Sequence, residues 1–558
     1  MSANSLGRER EAGKVVLIGP PGVGKSTIGP LLARQLGLSF SDTDYLIEAS
    51  TGMPIPAIFK DLGEQRFRQI EADAVSQALN NADVISIGGG AVMTESTQTL
   101  LREFAAHGGL VVFLDVSAGA VTSRVGGGAG RPLLAGSDAL ANWQALYAAR
   151  LSSYQTLATA YLDTTNCTLQ QVVGRLVELL KMSAQAQLAI IHEQPAVIRV
   201  PVAQPYDVVI GRGVSNQIAA YLGTEVTKVL VIYPEPLAPL ANPVINKLTA
   251  TGYEVVTQVV PDAEAQKTWA VAASCWEAAG QAAITRSDAV VAIGGGATTD
   301  LGGFVAATWL RGVKVIQVPT SLLAMVDAAV GGKTGINTPQ GKNLVGAFHQ
   351  PAAVLCDLDM LKTLPARDFS AGLAEVIKCG FIRDPIILAL VKEHATALTP
   401  WRGIATDGNA WAVVAELITR AIAVKAEVTA DDPTEQGKRE ILNYGHTLGH
   451  AIEHHEGFTW RHGEAVSVGM VFAAELARLV GQLTEDEVAL HRELLSAANL
   501  PVAYPGATLA ELLPAMHRDK KARGARLRFI TLAGIGNPDH LTDPPHQLLQ
   551  QAFACISI

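Results

Sequence analysis

The first part of the chain opens with a short apolar run, Lys14 to Ile18, that predicts a buried β-strand. A glycine-rich turn follows, and the segment IGPLLARQLG after it has the apolar spacing of a helix. A second helical pattern runs from Leu169 to about Gln194, where proline and β-branched residues take over. We therefore predict an α/β domain with a parallel sheet at residues 13–183 and a short linker at residues 184–195.

The middle of the chain alternates short apolar runs with helical segments such as Trp269 to Gln281. This alternation predicts a mainly parallel sheet in an α/β domain of Rossmann type at residues 196–363. From about Leu364 the pattern becomes long and helical, which predicts an α-helical domain at residues 364–558 with the active site in the cleft between them. The apolar runs are Val229 to Tyr233, Glu254 to Val260, Ala289 to Ile293 and Lys314 to Val318.

Composition narrows the class of protein. Of the 558 residues, 49% are hydrophobic and 17% are charged, which is typical of a well-buried globular enzyme. The formal net charge of -9 argues against a general nucleic-acid binder, because such a protein needs a net basic face. Five scattered cysteines without a CxxC pair fit a reducing cytosol. With no apolar run near the roughly 20 residues of a spanning helix, we expect a cytoplasmic protein without membrane or nucleic-acid partners.

The turn after the first strand reads GPPGVGKST and fits the pattern GxxxxGK[ST] completely. In this pattern the backbone N–H groups of the loop and of the helix start surround phosphates. The lysine contacts the terminal phosphates and the serine holds Mg²⁺. We therefore predict that ATP and Mg²⁺ bind here. The ATP-binding residues are Gly22, Gly24, Lys25, Ser26 and Thr27, with Ser26 as the Mg²⁺ ligand.

The phosphate acceptor must be inferred from the residues that follow this loop. Asp44 suits substrate hydroxyls, Arg68 suits a carboxylate, and the glycines Gly88 to Gly90 let a small ring approach the backbone. Farther on, the glycine-rich segment SRVGGGAGRPLL carries Arg124 and Arg131. Mobile arginines of this kind can close over a transferring phosphate as a lid.

The ordered set of residues resembles shikimate kinase over roughly residues 13–182. The resemblance implies catalytic roles for Lys25 and Arg131, with Arg131 in the lid over ATP. A nucleotide-responsive regulatory module is the non-enzymatic alternative, but a switch does not need contacts to an acceptor. The shikimate-binding residues implied by the resemblance are Asp44, Arg68, Gly89, Gly90 and Arg150.

Near the end of the chain the stretch NYGHTLGHAIE places His446 and His450 four residues apart, and His462 follows. Residues at this spacing share a helix face, so two imidazoles can start a divalent-metal site. Spacing alone pairs His446 with His450 on the metal. The segments MVDAAVGGKTGIN, GKNLVGAF, GLAEVIK and EQGKREILNYGHTLGHAIE resemble 3-dehydroquinate synthase, from about Pro195 onward. That resemblance instead implies Glu375, His446 and His462 as ligands of Zn²⁺ or Co²⁺, with His450 beside the substrate.

The turn GGGATTD, from Gly294 to Asp300, follows a strand and opens a helix, so its backbone can hold a pyrophosphate. Because it is not GxGxxG, the turn alone leaves a cofactor site and a structural role both open. The resemblance decides for NAD⁺. It implies as NAD contacts Asp262, Glu264, Lys267, Gly296, Ala297, Thr298, Thr299, Asp300, Thr320, Ser321, Lys333 and Lys342.

The resemblance also implies the substrate, the seven-carbon sugar acid phosphate DAHP, whose carboxylate and phosphate explain a cluster of cations. Implied substrate contacts are Arg311, Lys333, Asn343, Lys425, Arg439, Asn443, His450 and Lys520. Catalytic roles are implied for Asp327, Lys333, Lys378, Lys425, Glu435, Arg439, Asn443 and His450. In the family, the residue at the position of Arg311 reaches the neighbouring subunit's site, which implies a homodimer through this half.

The two halves together would form a bifunctional enzyme of aromatic amino-acid biosynthesis. One half would phosphorylate shikimate, and the other would convert DAHP to 3-dehydroquinate with release of phosphate. The implied second reaction oxidises a ring alcohol with NAD⁺, eliminates phosphate, reduces the ketone and closes the carbocycle by an aldol step. A metal-dependent polyol dehydrogenase is the alternative for the second half, but it would not need the lysines Lys333, Lys342 and Lys378.

Overall fold

The computed structural model describes residues 14–125, 139–165, 167–181, 190–398, 408–519 and 526–557. Its contacts divide the chain into two compact units, Met1–Glu193 and Gln194–Ile558. Among the described helices, none has both the length and the apolar character needed to cross a bilayer.

The first unit is built on a parallel sheet, as the sequence predicted. Alternate residues of its first strand face opposite apolar clusters, with Val15 and Leu17 in one and Val16 and Ile18 in the other. Helices therefore cover both faces of the sheet. The strands are β1 (Val15–Ile18), β2 (Phe40–Asp42), β3 (Val84–Ser86), β4 (Leu110–Asp115) and β5 (Ala160–Asp163), in the spatial order β2-β3-β1-β4-β5. The helices are α1 (Lys25–Leu36), α2 (Thr43–Thr51), α3 (Ile55–Asn81), α4 (Glu95–Ala106), α5 (Ala118–Val125), α6 (Ala139–Leu157) and α7 (Leu169–Lys181).

The second unit begins with the mainly parallel sheet that the alternating pattern predicted. Its strands are β6 (Ala196–Val200), β7 (Tyr206–Gly211), β8 (Lys228–Pro234), β9 (Glu254–Val260), β10 (Ala289–Gly294) and β11 (Lys314–Pro319), then the antiparallel hairpin β12 (Lys333–Thr338) and β13 (Gly341–Phe348), and β14 (Ala353–Asp357). The spatial order of the sheet is β6-β7-β14-β11-β10-β8-β9, in which only β6 runs antiparallel to its neighbour among the described strands. Helices α8 (Ile218–Leu222), α9 (Ala238–Thr251), α10 (Trp269–Gln281) and α11 (Gly296–Thr308) connect these strands.

The rest of the second unit is mainly helical, as predicted. One feature was not predicted: β15 (Arg528–Leu532) and β16 (Pro538–Thr542) form an antiparallel pair late in the helical part. Their sequences, RFITL and PDHLT, do not alternate regularly between apolar and polar residues, and the second begins with proline, so the pattern gave no strand signal. The helices are α12 (Ala366–Ile382), α13 (Pro385–Leu398), α14 (Gly408–Asp431), α15 (His446–His455), α16 (His462–Leu479), α17 (Glu485–Ala497), α18 (Leu509–Asp519) and α19 (His546–Ala554).

Candidate active sites

The phosphate-binding loop of the first unit joins β1 to α1 and lines a cavity of about 530 Å³. At Gly19, φ is 145° and a Cβ would lie 2.3 Å from the carbonyl oxygen of Leu114, so glycine is required there. Nζ of the buried Lys25 donates to the Gly19 carbonyl at 2.7 Å. The indole N–H of Trp143 donates to the Pro21 carbonyl at 2.8 Å. Side chains of α1 and α6 thus hold two carbonyl groups of the loop.

The residues predicted to bind the phosphate acceptor line the same cavity, together with Gly22, Gly24, Ser26 and Thr27 of the loop. A guanidinium N–H of Arg150 donates to the Gly89 carbonyl at 3.2 Å. A Cβ on Gly90 would lie 2.7 Å from a guanidinium nitrogen of Arg68. Asp44 also lines this cavity. The structure therefore brings Asp44, Arg68, the glycine turn and Arg150 around one space beside the phosphate loop.

Two residues of this cavity region were missed by the sequence analysis, Glu71 and Tyr154. Glu71 is 2% exposed and accepts a hydrogen bond from Arg68 at 2.6 Å. Burial raises the pKa of the Glu71 carboxyl, although the charge of Arg68 acts in the opposite direction. The hydroxyl of Tyr154 donates to the Gly89 carbonyl at 2.5 Å. Glu71 follows Arg68 at i+3 on α3, but this opposite-charge spacing is common on helix surfaces and does not by itself distinguish Glu71 from an ordinary surface pair.

Some predicted residues cannot be placed. Arg131 and Lys520 lie outside the described residues, and so does the side chain of Arg124.

Three helices of the second unit bring the predicted metal ligands together: Glu375 from α12, His446 from α15 and His462 from α16. The Nε2 atoms of both histidines lie 3.6 Å from Oε1 of Glu375. This oxygen is buried and has no hydrogen-bond partner among the described residues. One ligand atom from each residue lies within 4.8 Å of the others. Two imidazoles and one carboxylate are the donor set of a catalytic zinc site with an open position.

Close helix contacts at two glycines of α16 produce this convergence. A Cβ on Gly463 would lie 1.9 Å from the Ala371 carbonyl oxygen of α12, one turn before Glu375. A Cβ on Gly469 would lie 1.9 Å from the carbonyl oxygen of Gly445, the residue before His446. Any larger residue at either position would push the ligand-bearing helices apart.

The Nδ1 atoms of the two histidines face acceptors. Nδ1 of His446 lies 3.1 Å from the Tyr444 carbonyl, and Nδ1 of His462 lies 3.0 Å from a carboxylate oxygen of Glu453. These partners favour the tautomer that leaves Nε2 available for a metal. A second close group consists of His450, Glu453 and His462, and neither group contains both His446 and His450, the pair that spacing alone suggested. The rings of His446 and His450 are nevertheless neighbours, with centroids 5.3 Å apart. Glu453 was not assigned a role from the sequence.

Lysines and carboxylates surround the three ligands. Lys378 contacts Oε2 of Glu375, and Lys425 contacts Oδ1 of Asp327. Burial opposes ionisation of Asp327, but Lys425 and Lys378 outweigh it and hold the pKa of Asp327 well below its usual range. Asp327 lies in a single π-helical turn, Ala324–Ala328, a feature frequent at functional sites.

A second cluster of charged side chains contains Lys333, Glu435 and Arg439. Nζ of Lys333 lies 2.5 Å from Glu435, whose carboxylate also accepts a hydrogen bond from Asn443. Arg439 is 1% exposed, and one guanidinium N–H donates to the Gly331 carbonyl at 3.3 Å. Its Nε and its other terminal nitrogen are buried without hydrogen-bond partners among the described residues. A buried guanidinium with unsatisfied donors is suited to an anionic ligand.

The glycine turn before α11 lies beside a buried lysine. Nζ of Lys267 lies 2.7 Å from Asp300 and also contacts the amide oxygen of Asn343. Burial raises the pKa of Asp300 to about 6, against the opposing effect of Lys267. The hydroxyl of Thr298 is buried without a partner among the described residues. Gly296, Ala297 and Thr299 belong to the same first turn of α11, and the Thr320 N–H donates to the Gly294 carbonyl at 2.9 Å.

The remaining predicted NAD contacts are held by residues in other segments of the second unit. Glu264 accepts a hydrogen bond from Asn337 at 2.6 Å, and Asp262 caps the short helix that contains Glu264. The Ser321 hydroxyl accepts from the Ala324 N–H at 3.3 Å. Lys342 lies over the ring of Phe458, with Nζ 3.9 Å from the ring centroid.

Left-handed backbone at non-glycine residues marks several predicted contacts. The φ angles are 67° at Arg311, 56° at Asn343 and 59° at Glu435. Such conformations cost free energy and concentrate at functional sites. Arg311 is exposed.

Comparison with family models gives matches over both units. The model described as shikimate kinase matches residues 21–181. The model described as 3-dehydroquinate synthase N-terminal matches residues 257–371, and the model for its C-terminal part matches residues 372–522.

Curated relatives match the second unit closely. A 3-dehydroquinate synthase from Arthrobacter sp. (strain FB24) is 56% identical over 351 residues, which cover 63% of this chain and 94% of the relative. A 3-dehydroquinate synthase from Thermobifida fusca (strain YX) is 55% identical over 353 residues, which cover 63% of this chain and 94% of the relative. These matches favour a synthase over a polyol dehydrogenase for the second unit.

Solved structures of related enzymes share the fold of the second unit. A 2-deoxy-scyllo-inosose synthase complexed with carbaglucose-6-phosphate, NAD+ and Co2+ is 25% identical, with a TM-score of 0.58 over 64% of this chain and 99% of that one. ValA, a 2-epi-5-epi-valiolone synthase from Streptomyces hygroscopicus subsp. jinggangensis 5008 with NAD+ and Zn2+ bound, is 26% identical. Its TM-score is 0.57, over 63% of this chain and 96% of that one.

Proposed function

The chain belongs to the 3-dehydroquinate synthase family and carries a shikimate kinase domain before it, and on this premise we propose which residues perform the two reactions. It is a bifunctional enzyme of aromatic amino-acid biosynthesis. One half phosphorylates shikimate with ATP, and the other converts DAHP to 3-dehydroquinate with release of phosphate. The observation that supports the residue roles best is the convergence of Glu375, His446 and His462 beside a buried cluster of cations.

In the kinase half, the loop N–H groups around Gly22 and Gly24 would bind the phosphates of ATP, and Ser26, next to Thr27, would hold Mg²⁺. Nζ of Lys25 contacts the loop carbonyls of Gly19 and Pro20. With ATP bound, its ammonium neutralises charge on the transferring phosphoryl group. Arg131, which lies outside the described residues, keeps the role in the lid over ATP that the resemblance implies.

The acceptor side of the kinase cavity selects shikimate. Asp44 accepts hydrogen bonds from ring hydroxyls, while Arg68 and Arg150 bind the carboxylate. Glu71 holds the guanidinium of Arg68 through the 2.6 Å hydrogen bond. The absence of side chains at Gly89 and Gly90 leaves room for the ring.

In the synthase half, Glu375, His446 and His462 would hold Zn²⁺ or Co²⁺, and the unpartnered Oε1 of Glu375 fits that role. The turn before α11, with the unpartnered hydroxyl of Thr298, fits the pyrophosphate of NAD⁺. Two solved relatives carry NAD⁺ with one of these metals. When bound, NAD⁺ supplies the redox chemistry and the metal polarises the reacting oxygen. The proposed NAD contacts are Asp262, Glu264, Lys267, Gly296, Ala297, Thr298, Thr299, Asp300, Thr320, Ser321, Lys333 and Lys342.

The chain's own side chains bind and orient DAHP. The unsatisfied donors of Arg439 find partners on a substrate anion, which removes the cost of burying them unpaired. Lys333 and Lys425 add positive charge, while Glu435 and Asp327 hold these two lysines in place. The other proposed substrate and catalytic residues are Asn343, Lys378, Asn443, His450 and Lys520.

We also propose that the synthase half forms a homodimer in which Arg311 completes the neighbouring site. Leu310 is 41% exposed, Leu344 62% and Phe348 51%, so these three apolar side chains are available to a partner. Gly312 lies next to His349, since a Cβ there would be 3.7 Å from the His349 ring, so Arg311 adjoins the end of the β13 hairpin.

Mixing two inactive variants tests the shared site. Arg311→Ala lacks the residue supplied to the neighbour, and His462→Ala lacks a ligand of its own site. In a mixed dimer one of the two sites is complete, so equal mixing should restore about one quarter of wild-type synthase activity. Failure of the mixture to recover activity, with dimers present in sedimentation, would contradict the shared site.

We place the enzyme in the cytoplasm. Its five cysteines, Cys167, Cys275, Cys356, Cys379 and Cys555, are all unpaired, which suits a reducing compartment.

Two assays on purified full-length protein test the function as a whole. The first measures ATP-dependent phosphorylation of shikimate, and the second measures phosphate release from DAHP with NAD⁺ and zinc present. Lys25→Ala should abolish only the first activity and Glu375→Gln only the second. Loss of both activities in either variant would contradict the assignment of the two reactions to separate sites.

A further inference from the structure

Tyr444 and His491 form a buried hydrogen-bonded pair next to the proposed metal ligands. The Tyr444 hydroxyl lies 2.9 Å from Nε2 of His491, and both residues are 0% exposed. Nδ1 of His491 lies 2.7 Å from the Glu487 carbonyl oxygen, which can only accept. Nδ1 therefore carries the proton, and Nε2 accepts from the Tyr444 hydroxyl. Burial lowers the pKa of His491 to about 4, which keeps the ring neutral at neutral pH.

The main chain of Tyr444 contacts a metal ligand directly. Its carbonyl oxygen lies 3.1 Å from Nδ1 of His446. Gly445, between them, has φ of 81° and packs against Met470 of α16, where a Cβ would lie 2.7 Å from the Met470 side chain. Because Gly445 is tightly packed between the two residues, a shift of the Tyr444 side chain should displace the ring of His446.

His491 also contacts the helix that carries Glu375. Its ring stacks on Phe381 of α12, with ring centroids 3.6 Å apart and an interplanar angle of 3°. The Tyr444 hydroxyl lies 3.4 Å from the Met470 carbonyl of α16, the helix that begins at His462. The pair therefore touches all three elements that supply metal ligands, although neither residue is a ligand.

We propose that Tyr444 and His491 are positioning residues that set the orientation of His446 relative to Glu375 and thereby the affinity of the metal site. This inference rests on the metal site proposed above. Groups that orient metal ligands typically change metal affinity by about ten- to a hundred-fold when they are replaced. Within the described part of the chain, neither residue has a hydrogen bond or ring contact with a proposed substrate-binding cation.

The variants are chosen to remove the hydrogen bond with little change in shape. Tyr444→Phe removes only the hydroxyl, and His491→Phe keeps a flat ring to stack on Phe381. His491→Gln supplies a side-chain oxygen that can accept from Tyr444, so it serves as the conservative rescue. Ser467→Ala is the matched control. Like Tyr444→Phe it removes one buried hydroxyl, but Ser467 lies on α16 and its hydroxyl donates to the Pro501 carbonyl at 2.7 Å.

Zinc affinity is measured on the full-length protein by competition with a chelator, and the geometry of the site by the visible spectrum of the cobalt-loaded protein. We expect zinc affinity to fall about ten-fold in Tyr444→Phe and His491→Phe, with a changed cobalt spectrum. The double variant should be no weaker than the single ones, because both disrupt the same contact. His491→Gln and Ser467→Ala should resemble the wild type.

Three results would overturn the inference, and His446→Ala separates two of them. Unchanged zinc affinity in both single variants, with zinc lost from His446→Ala, refutes the positioning role and leaves the metal site standing. Zinc retained by His446→Ala removes the proposed metal site and this inference with it. Circular dichroism on the same samples measures the unfolded fraction of each variant. If the loss of zinc is no larger than this fraction, Tyr444 and His491 have a purely structural role.

Discussion

Lys378 contacts Oε2 of Glu375 one helical turn earlier on α12, and the other oxygen of this carboxylate faces His446 and His462. Burial opposes ionisation of Glu375, but Lys378 and His446 outweigh it and hold the pKa of Glu375 well below its usual range. The carboxylate is therefore an anion at neutral pH, as a metal ligand must be. Lys378 orients it so that one oxygen remains for the metal.

The histidine variants distinguish two arrangements of the metal site. If Glu375, His446 and His462 bind zinc, His462→Ala should lose bound zinc, because one of three protein ligands is gone. His450→Ala should keep zinc but lose turnover, since His450 is assigned to the substrate. Metal analysis of the two folded variants is the measurement. Zinc lost from His450→Ala and retained in His462→Ala would instead support the pair predicted by spacing alone.

Lys25 gives a test of the kinase half. Its ammonium is the group placed to neutralise charge on the transferring phosphoryl, so Lys25→Ala should lower kcat for shikimate phosphorylation by about a hundred-fold or more. The exposed Lys181, paired with Glu178 on α7, provides the control variant Lys181→Ala. Near-normal phosphorylation by Lys25→Ala would remove Lys25 from the mechanism.

Arg150 should act on the acceptor rather than on ATP. Hydrogen bonds to a charged partner contribute about 1.5–3 kcal/mol, so Arg150→Ala should raise KM for shikimate by about ten- to a hundred-fold. KM for ATP should change little. Arg66→Ala is the control, because Arg66 is exposed on α3 and contacts only Gln69 in the hydrogen bonds seen here. An unchanged KM for shikimate in Arg150→Ala would refute its role.

Local sequence patterns were sufficient for the parallel sheets and the phosphate-binding loop. Both depend on neighbouring residues: an apolar run that becomes a buried strand such as β1, and glycines such as Gly19 where the backbone requires them. The resemblance predicted Glu375 as a third ligand, which spacing could not do, because Glu375 lies on a different helix from His446.

The supporting residues were not predictable from local pattern. Glu453 and Glu71 lie three residues after His450 and Arg68, but this spacing occurs on most exposed helix faces. His491 lies on α17 and Tyr444 lies just before α15, so the two residues, 47 apart in sequence, meet only through the packing of the folded unit. A residue whose partner is distant in sequence leaves no periodic signal, so its role is defined by tertiary packing.

Acid should destabilise the synthase half in part through His491. An unfolded histidine has a pKa of about 6.5, whereas burial lowers the pKa of folded His491 to about 4. Between these values the unfolded chain binds the additional proton, so stability rises with pH and falls as the solution is acidified. The contribution of His491 to this loss is about 3 kcal/mol by pH 4.

Denaturant unfolding at several pH values measures this effect. His491→Phe should show a weaker loss of unfolding free energy between about pH 6.5 and 4, since its side chain does not titrate. His546→Gln, at an exposed position of α19, should keep the wild-type pH dependence. Identical pH profiles for the wild type and His491→Phe would contradict the buried neutral state of His491.

The two halves should be separable. The contacts of the chain divide between Glu193 and Gln194, and each unit has its own sheet and its own buried apolar clusters. Independent cores allow independent folding. A fragment that ends near Ala184 should therefore phosphorylate shikimate, and one that starts near Pro195 should make 3-dehydroquinate, each with the kinetic constants of the full chain. The reactions are non-consecutive, so joining them offers no direct transfer of an intermediate. A fragment that is folded but inactive, while the full chain is active, would show that one half depends on the other.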